Sequence, residues 1–117
     1  MIGAYFYAER SEIMIIKFKK ENETLTAFLQ GEIDHHTAAF ARNEIDTEVS
    51  AETPSKLILD FGGITFMDSS GIGLVMGRYK VMNGMSAELE ITNIPNNIYK
   101  LMKLAGIEKL APLKRKD

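Results

Sequence analysis

Several short runs in the sequence contain residue types that could do chemistry, and Asp34-His35-His36 is the first of them. Imidazole and carboxylate groups are common metal ligands, so the run is compatible with a small metal-dependent phosphoesterase. Adjacent residues point in different directions, however, and the chain has neither a third histidine nor a cysteine. We therefore expect no metal site here and keep the phosphoesterase as an alternative from a different functional class. Asp34 is instead predicted to accept hydrogen bonds from nearby backbone N–H groups.

Asp68-Ser69-Ser70-Gly71 is the second run, and it raises the question of a serine nucleophile. A nucleophile elbow has the pattern Gly-x-Ser-x-Gly, but Met67 occupies the first glycine position if Ser69 is the nucleophile. Centring the pattern on Ser70 places Asp68 and Ile72 at both glycine positions. The two adjacent histidines are the only histidine bases that the sequence offers. We therefore predict no catalytic residue and no enzymatic activity.

The same serines lie where a helix is predicted to begin. A side-chain oxygen at that point caps the first N–H groups, so Asp68 or Ser69 is the expected N-cap. The free N–H groups and the positive end of the helix dipole also favour negative charge there. A phosphate on one of these serines adds up to about two negative charges. We expect such a phosphate to be accommodated without unfolding the domain.

Glycines at 71, 73 and 77 form a third pattern, which resembles a dinucleotide-binding fingerprint. The third glycine of that fingerprint belongs at position 76, where this sequence has Met76. The sequence also lacks the Gly-Lys-Ser/Thr of a phosphate-binding loop, so no cofactor is expected. Glycine in a helix costs about 1 kcal/mol relative to alanine. Gly73 and Gly77 are therefore predicted to serve close approach of their helix to the sheet.

Hydrophobic periodicity and turn signals place these runs on a series of strands and helices. Thr37 is the predicted N-cap of the first helix, which should end before Pro54. Gly62-Gly63 is predicted to break the central strand and leave a loop over 64–68. The predicted fold class is α/β, a small mixed sheet with helices packed on it, in the order β-β-α-β-α-β-α. The predicted strands are 13–19, 24–29, 56–61 and 87–91, and the predicted helices start near Thr37, Ser69 and Asn96 or Asn97.

Length and composition limit the classes of protein that the chain can be. It has 117 residues, of which 45% are hydrophobic and 26% charged, a net charge of −2 and no cysteine. These values are typical of one globular domain, exclude disulfides and offer no basis for nucleic-acid binding. Residues 1–13 are predicted to be a leader, loosely ordered or an edge strand, and 14–117 the domain, with Met14 as an alternative start. The leader is too short for a secretion signal or a membrane span, so a cytoplasmic location without membrane insertion is expected.

Two separated motifs resemble the STAS domain of anti-sigma factor antagonists. Gly31-Glu32-Ile33-Asp34-His35-His36-Thr37-Ala38 is similar to the family signature after its second strand. Phe66-Met67-Asp68-Ser69-Ser70-Gly71-Ile72-Gly73 is similar to the family's phosphorylation loop, and Gly77-Arg78-Tyr79-Lys80 follows at the expected distance. The resemblance covers Met14 to the end of the chain, and it is closest to the sporulation branch of the family.

This resemblance implies a function in partner switching. An unphosphorylated antagonist binds an anti-sigma factor, itself a serine kinase, and thereby releases the sporulation sigma factor. The kinase uses ATP to phosphorylate the first serine of the motif, here Ser69, and a serine phosphatase removes the phosphate. An antagonist of a general stress sigma factor, or another STAS regulator, is the alternative within the family. The resemblance assigns these residues to the partner-binding surface: Asp34, Asp68, Ser69, Gly71, Ile72 and Gly73.

Overall fold

The computed structural model describes residues 3–9 and 12–117, which form a six-stranded sheet and three α-helices. Its α/β architecture confirms the predicted fold class. The strands are β1 (Gly3–Glu9), β2 (Glu12–Glu21), β3 (Thr24–Ile33), β4 (Lys56–Met67), β5 (Glu88–Ile94) and β6 (Leu113–Arg115). The helices are α1 (His35–Glu52), α2 (Ser69–Gly84) and α3 (Asn96–Leu104), and a 3₁₀ turn at Ile107–Lys109 precedes β6.

The strands lie in chain order across a mixed sheet. β1, β2 and β3 pair antiparallel, while β3, β4, β5 and β6 pair parallel. Along β2, Met14, Ile16 and Phe18 are fully buried, whereas Ile13 and Lys17 are exposed. This period of two shows that β2 has one covered and one more open face. α1 packs on β3, α2 packs on β5, and the two helices contact each other on the covered face.

The sheet contains β6, which the sequence pattern did not predict, and β1, for which an edge strand was one of two predicted alternatives. Gly3–Glu9 pairs along its length with β2, so this part of the predicted leader is an edge strand rather than a loosely ordered segment. The side chain of Tyr5 holds it in place, because its hydroxyl donates to a Glu48 carboxylate oxygen on α1 at 2.8 Å. The Tyr5 ring also packs edge-on against Phe18, with 5.8 Å between ring centroids. These contacts are made with α1 and β2, outside residues 3–9. The local sequence of residues 3–9 therefore could not show that they form a strand.

β4 is longer than predicted, and the loop predicted over 64–68 is wrong. The strand continues through Gly62-Gly63 to Met67, and Ile64 and Met67 are buried in the core. Instead of breaking the strand, the glycines lie where its pairing with β3 shifts register, between Phe28 and Glu32 of that strand. Such irregularities bend a strand without ending it. As a result, β3 and β4 end side by side, with Ile33 opposite Met67.

Candidate functional site

The candidate site is formed by the two helix starts that follow β3 and β4. Because these strands are parallel neighbours, the residues after them meet at the same edge of the sheet. The backbone N–H of Asp68 donates to the carbonyl of Ile33 at 3.1 Å, so the two connections are in direct contact. The structure therefore brings together Asp34 and Ser69, which are 35 positions apart in the sequence.

Asp34 is the N-cap of α1. Its Oδ1 accepts hydrogen bonds from the backbone N–H of His36 at 2.9 Å and of Thr37 at 3.0 Å, as predicted for this carboxylate. Thr37 completes a capping box, since its hydroxyl accepts from the Asp34 N–H at 2.9 Å and donates to the Glu32 carbonyl at 2.7 Å. The prediction of Thr37 as the N-cap is wrong by three positions, because the buried threonine is the N3 residue of that box.

Asp68 caps α2 in a similar way. Its Oδ1 accepts from the backbone N–H of Ser70 at 2.8 Å, and its carbonyl accepts from the Gly71 N–H at 3.0 Å. Ser69 is the first helical residue and is exposed, while Ser70 is half-buried. Of the two serines, Ser69 therefore offers the more accessible hydroxyl, and it does so where the helix dipole favours negative charge.

Gly71, Ile72 and Gly73 lie in different environments. Gly71 is buried, and a Cβ at that position would collide with the side chain of Met67. A glycine is therefore needed at position 71 because the Met67 side chain occupies the space that a Cβ would take. Ile72 is half-buried against the core. Gly73 is exposed, and a Cβ added to it would meet no atom within 4 Å.

Gly73 and Gly77 do not serve close approach of α2 to the sheet, as the sequence had suggested. A Cβ at either position would meet no atom within 4 Å. Both glycines instead face a groove of about 370 Å³ between α1 and α2. The prediction was wrong because the spacing of four puts both residues on one helix face but does not say what that face meets.

Arg78 belongs to the Gly77-Arg78-Tyr79-Lys80 motif, but neither Arg78 nor Asp46 was predicted to be a site residue. Arg78 is buried on α2, with Nε 2.8 Å from Oδ1 of Asp46 on α1, although the two atoms are not aligned for a hydrogen bond. Burial lowers the pKa of the Arg78 guanidinium, and the nearby Asp46 carboxylate opposes that shift. The pair connects α1 to α2 beside the groove. In the sequence, Arg78 is a charged residue on an otherwise apolar helix face, and this pattern could have identified it as a candidate site residue.

The Asp34-His35-His36 run does place its possible ligand atoms near one another. One nitrogen or oxygen from each residue lies within 4.8 Å of the others, and this is the only such group among residues 3–9 and 12–117. Both histidines are exposed, with their ring centroids 3.9 Å apart. Oδ1 of Asp34 already serves two backbone N–H groups of α1. The donor set therefore fits a helix cap better than a hydrolytic metal centre, which needs three committed protein ligands and an open position.

Opposite effects on stability are expected from adding one methyl group at two glycines of α2. Gly77→Ala fills open space and improves helix propensity, so the free energy of unfolding should rise by about 0.5–1 kcal/mol. Gly71→Ala forces the buried Met67 side chain to move and should lower that free energy by about 1–3 kcal/mol. Urea denaturation of both variants tests the assignment, and a change of the same sign in both would contradict it.

Among the described residues, none of the helices is long and apolar enough to cross a bilayer.

Comparison with known proteins relates this architecture to a known family. The STAS domain model matches residues 16–116. An anti-sigma F factor antagonist from Paenibacillus polymyxa is 30% identical over 98 residues, which cover 84% of this chain and 84% of that protein. An anti-sigma-B factor antagonist from Listeria monocytogenes is 22% identical over 96 residues, which cover 82% of this chain and 83% of that protein.

Solved structures of the Bacillus anti-sigma factor antagonist SpoIIAA share the fold. Its unphosphorylated form matches with a TM-score of 0.73 and 27% identity, over 84% of this chain and 86% of SpoIIAA. Its phosphorylated form matches with a TM-score of 0.67 and 27% identity, over 84% of this chain and 89% of SpoIIAA. Fold and site thus define a mixed-sheet α/β domain that presents two capped helix starts at one sheet edge. The chain belongs to the STAS domain family.

Proposed function

We propose that this protein is an anti-sigma factor antagonist that is controlled by phosphorylation of Ser69. In its unphosphorylated form it binds an anti-sigma factor serine kinase in the cytoplasm and so releases the sporulation sigma factor. The observation that carries the proposal is the exposed Ser69 at the first position of α2, next to Asp68, whose backbone N–H donates to the carbonyl of Ile33 beside Asp34. The protein is a substrate of the kinase and needs no cofactor, since the kinase supplies ATP.

Charge explains how a phosphate at Ser69 would act. The carboxylates of Asp34 and Asp68 already cap the two helices at this edge. A phosphate adds up to about two further negative charges, so the surface becomes more acidic and bulkier toward a docking partner. The helix N-terminus favours that charge, so the domain itself has no reason to unfold. We therefore propose a switch that acts on the interface, with a serine phosphatase restoring the binding form.

The proposed docking surface consists of exposed and half-buried residues around Ser69. Asp34, Asp68, Ile72 and Gly73 present atoms at this surface, whereas the buried Gly71 shapes it by leaving room for Met67. The proposed pathway follows the identity to the sigma F relatives, 30% and 32%, which is higher than that to the sigma B relatives, 22% to 28%. An antagonist of a general stress sigma factor is the alternative within the family.

The decisive experiment combines the purified protein with the anti-sigma factor kinase of its own organism and ATP. We expect one phosphate per chain by intact mass, and phosphopeptide mapping should locate it on Ser69. Ser70→Ala is the matched control, because Asp68 caps α2 through the backbone N–H of residue 70 and that bond survives the change. Ser69→Ala should abolish the mass increase and Ser70→Ala should not. A phosphate confined to Ser70 would contradict the assignment.

Testing the sigma F and sigma B anti-sigma factors of the same organism side by side identifies the pathway. The proposal expects the tighter complex with the sigma F kinase. Preference for the sigma B kinase would replace that pathway with the stress-response alternative.

A further inference from the structure

The groove between α1 and α2 is built from small residues. Ala38 and Ala39 line it from α1, and Gly73 and Gly77 line it from α2. No side chain fills the space in front of either glycine, so the groove reaches the helix backbone. Its volume of about 370 Å³ is enough for a few side chains of a second protein but not for a whole helix. Ser70 lies at one end, so the groove continues from the surface around Ser69.

Two arginines line this groove, of which Arg78 is paired with Asp46 beside it. Arg42 is exposed on α1, and Arg78 is 5% exposed on α2. No aspartate or glutamate is among the residues that line the groove in the described part of the chain. Burial lowers the pKa of the Arg78 guanidinium, the Asp46 carboxylate opposes that shift, and the positive charge of Arg42 adds to it, so the two arginines repel each other. An anionic group between them would relieve that repulsion.

The buried guanidinium of Arg78 has unused hydrogen-bonding capacity. Among described residues, its one hydrogen-bond acceptor is the Leu74 carbonyl, 3.4 Å from Nη1, which is a long contact. Nε lies 2.8 Å from Oδ1 of Asp46, but its N–H does not point at that oxygen. Nε therefore has no hydrogen-bond partner in the described structure. Guanidinium groups carry five N–H donors, and buried donors are normally satisfied. Arg78 is one of the residues that line the groove.

We propose that the groove receives an acidic side chain of the partner protein, with its carboxylate held between Arg78 and Arg42. A carboxylate matches the fork of a guanidinium and satisfies two donors at once. The small residues along the walls let the backbone of the partner come close to both helices. This inference rests on the proposed function, and it adds a second, cationic anchor to the surface around Ser69.

Two variants test the groove while leaving the caps of both helices unchanged. Gly77→Leu fills the groove from a position where a Cβ meets no atom within 4 Å. Arg42→Gln removes the exposed charge and keeps much of the length of the side chain. Gly84→Leu is the matched control, since it also adds leucine to open space on α2. Gly84 lies 15 residues after Ser69, which is about 22 Å along the helix at 1.5 Å per residue.

Binding of each unphosphorylated variant to the anti-sigma factor is measured by isothermal titration calorimetry at two salt concentrations. We expect Gly77→Leu and Arg42→Gln to weaken binding on the order of tenfold, equivalent to about 1.4 kcal/mol, and Gly84→Leu to bind as wild type. Arg42→Gln should also reduce the salt dependence of binding, because one charge pair is lost. Thermal melts confirm that each variant is folded, and Arg42→Gln serves as the test if Gly77→Leu does not fold.

The outcomes separate this inference from the proposed function. If both groove variants bind the anti-sigma factor with wild-type affinity, and phosphorylation of Ser69 abolishes binding, the groove is not a binding site. The proposed phosphorylation switch is then still supported. Absence of binding by the wild-type protein overturns both. If the wild-type protein binds inorganic phosphate or ATP, and Arg42→Gln abolishes that binding without changing binding of the partner, the occupant of the groove is a free anion. That result would overturn the proposal that the groove receives an acidic side chain.

Discussion

Phosphorylation of Ser69 is expected to weaken binding to the anti-sigma factor by at least about 100-fold, equivalent to roughly 2.7 kcal/mol. The phosphate would lie at an exposed helix start beside the carboxylates of Asp34 and Asp68. An interface charge without a counter-charge can cost several kcal/mol when a partner excludes water from it. The dipole of α2 stabilises the phosphate within the free protein, so the penalty falls on the complex rather than on the fold.

Variants of the two serines distinguish the effect of an added negative charge on binding from the effect of losing the hydroxyl. Ser69→Asp should remain folded and bind weakly, with a smaller loss than the phosphate because it adds one negative charge instead of two. Ser69→Ala and Ser70→Ala should both bind as wild type, since the cap to the residue 70 N–H is retained in each. Amide chemical shifts of the phosphorylated protein should change around 34–36 and 68–73. Changes throughout the core, or undiminished binding after phosphorylation, would contradict a local switch.

Gly31→Ala is expected to cause the largest loss of stability among single methyl additions, about 3 kcal/mol or more. Gly31 has φ +123°, in the range that residues with a side chain rarely adopt. A Cβ there would also collide with the backbone carbonyl of Ile13 and lie 3.2 Å from Cα of Met14. Both obstacles are backbone atoms of the paired strand β2, so rotation of a side chain cannot relieve the clash.

Gly106→Ala is the control that separates backbone strain from steric collision. Gly106 also has positive φ, +79°, but a Cβ there would meet no atom within 4 Å. Its replacement should cost about 1 kcal/mol from the left-handed conformation alone. Urea denaturation of both variants measures the difference, and equal losses would show that the contact with Ile13 is unimportant. Since Gly31 lies three residues before the N-cap Asp34, its variant should also weaken binding of the partner.

The main features of the candidate site could be predicted from the sequence because they depend on local interactions. Asp34 and Asp68 each accept hydrogen bonds from N–H groups two or three residues ahead, and that geometry is encoded within one turn of helix. Their proximity followed from one further rule, that parallel neighbouring strands end at the same edge of a sheet. The mistaken choice of Thr37 as N-cap came from the same local chemistry, since its hydroxyl also belongs to the capping box.

The sequence alone was therefore sufficient for the fold class, the alternation of buried and exposed residues and the start of α2, all of which depend on periodicity and capping. Tertiary contacts established which surfaces meet. They made residues 3–9 a strand by placing Tyr5 against Glu48, and they turned Gly73 and Gly77 toward a groove instead of the sheet. They also paired Arg78 with Asp46 across two helices. Spacing along a helix identifies the residues that share a face, but the partner of that face depends on contacts between residues distant in sequence.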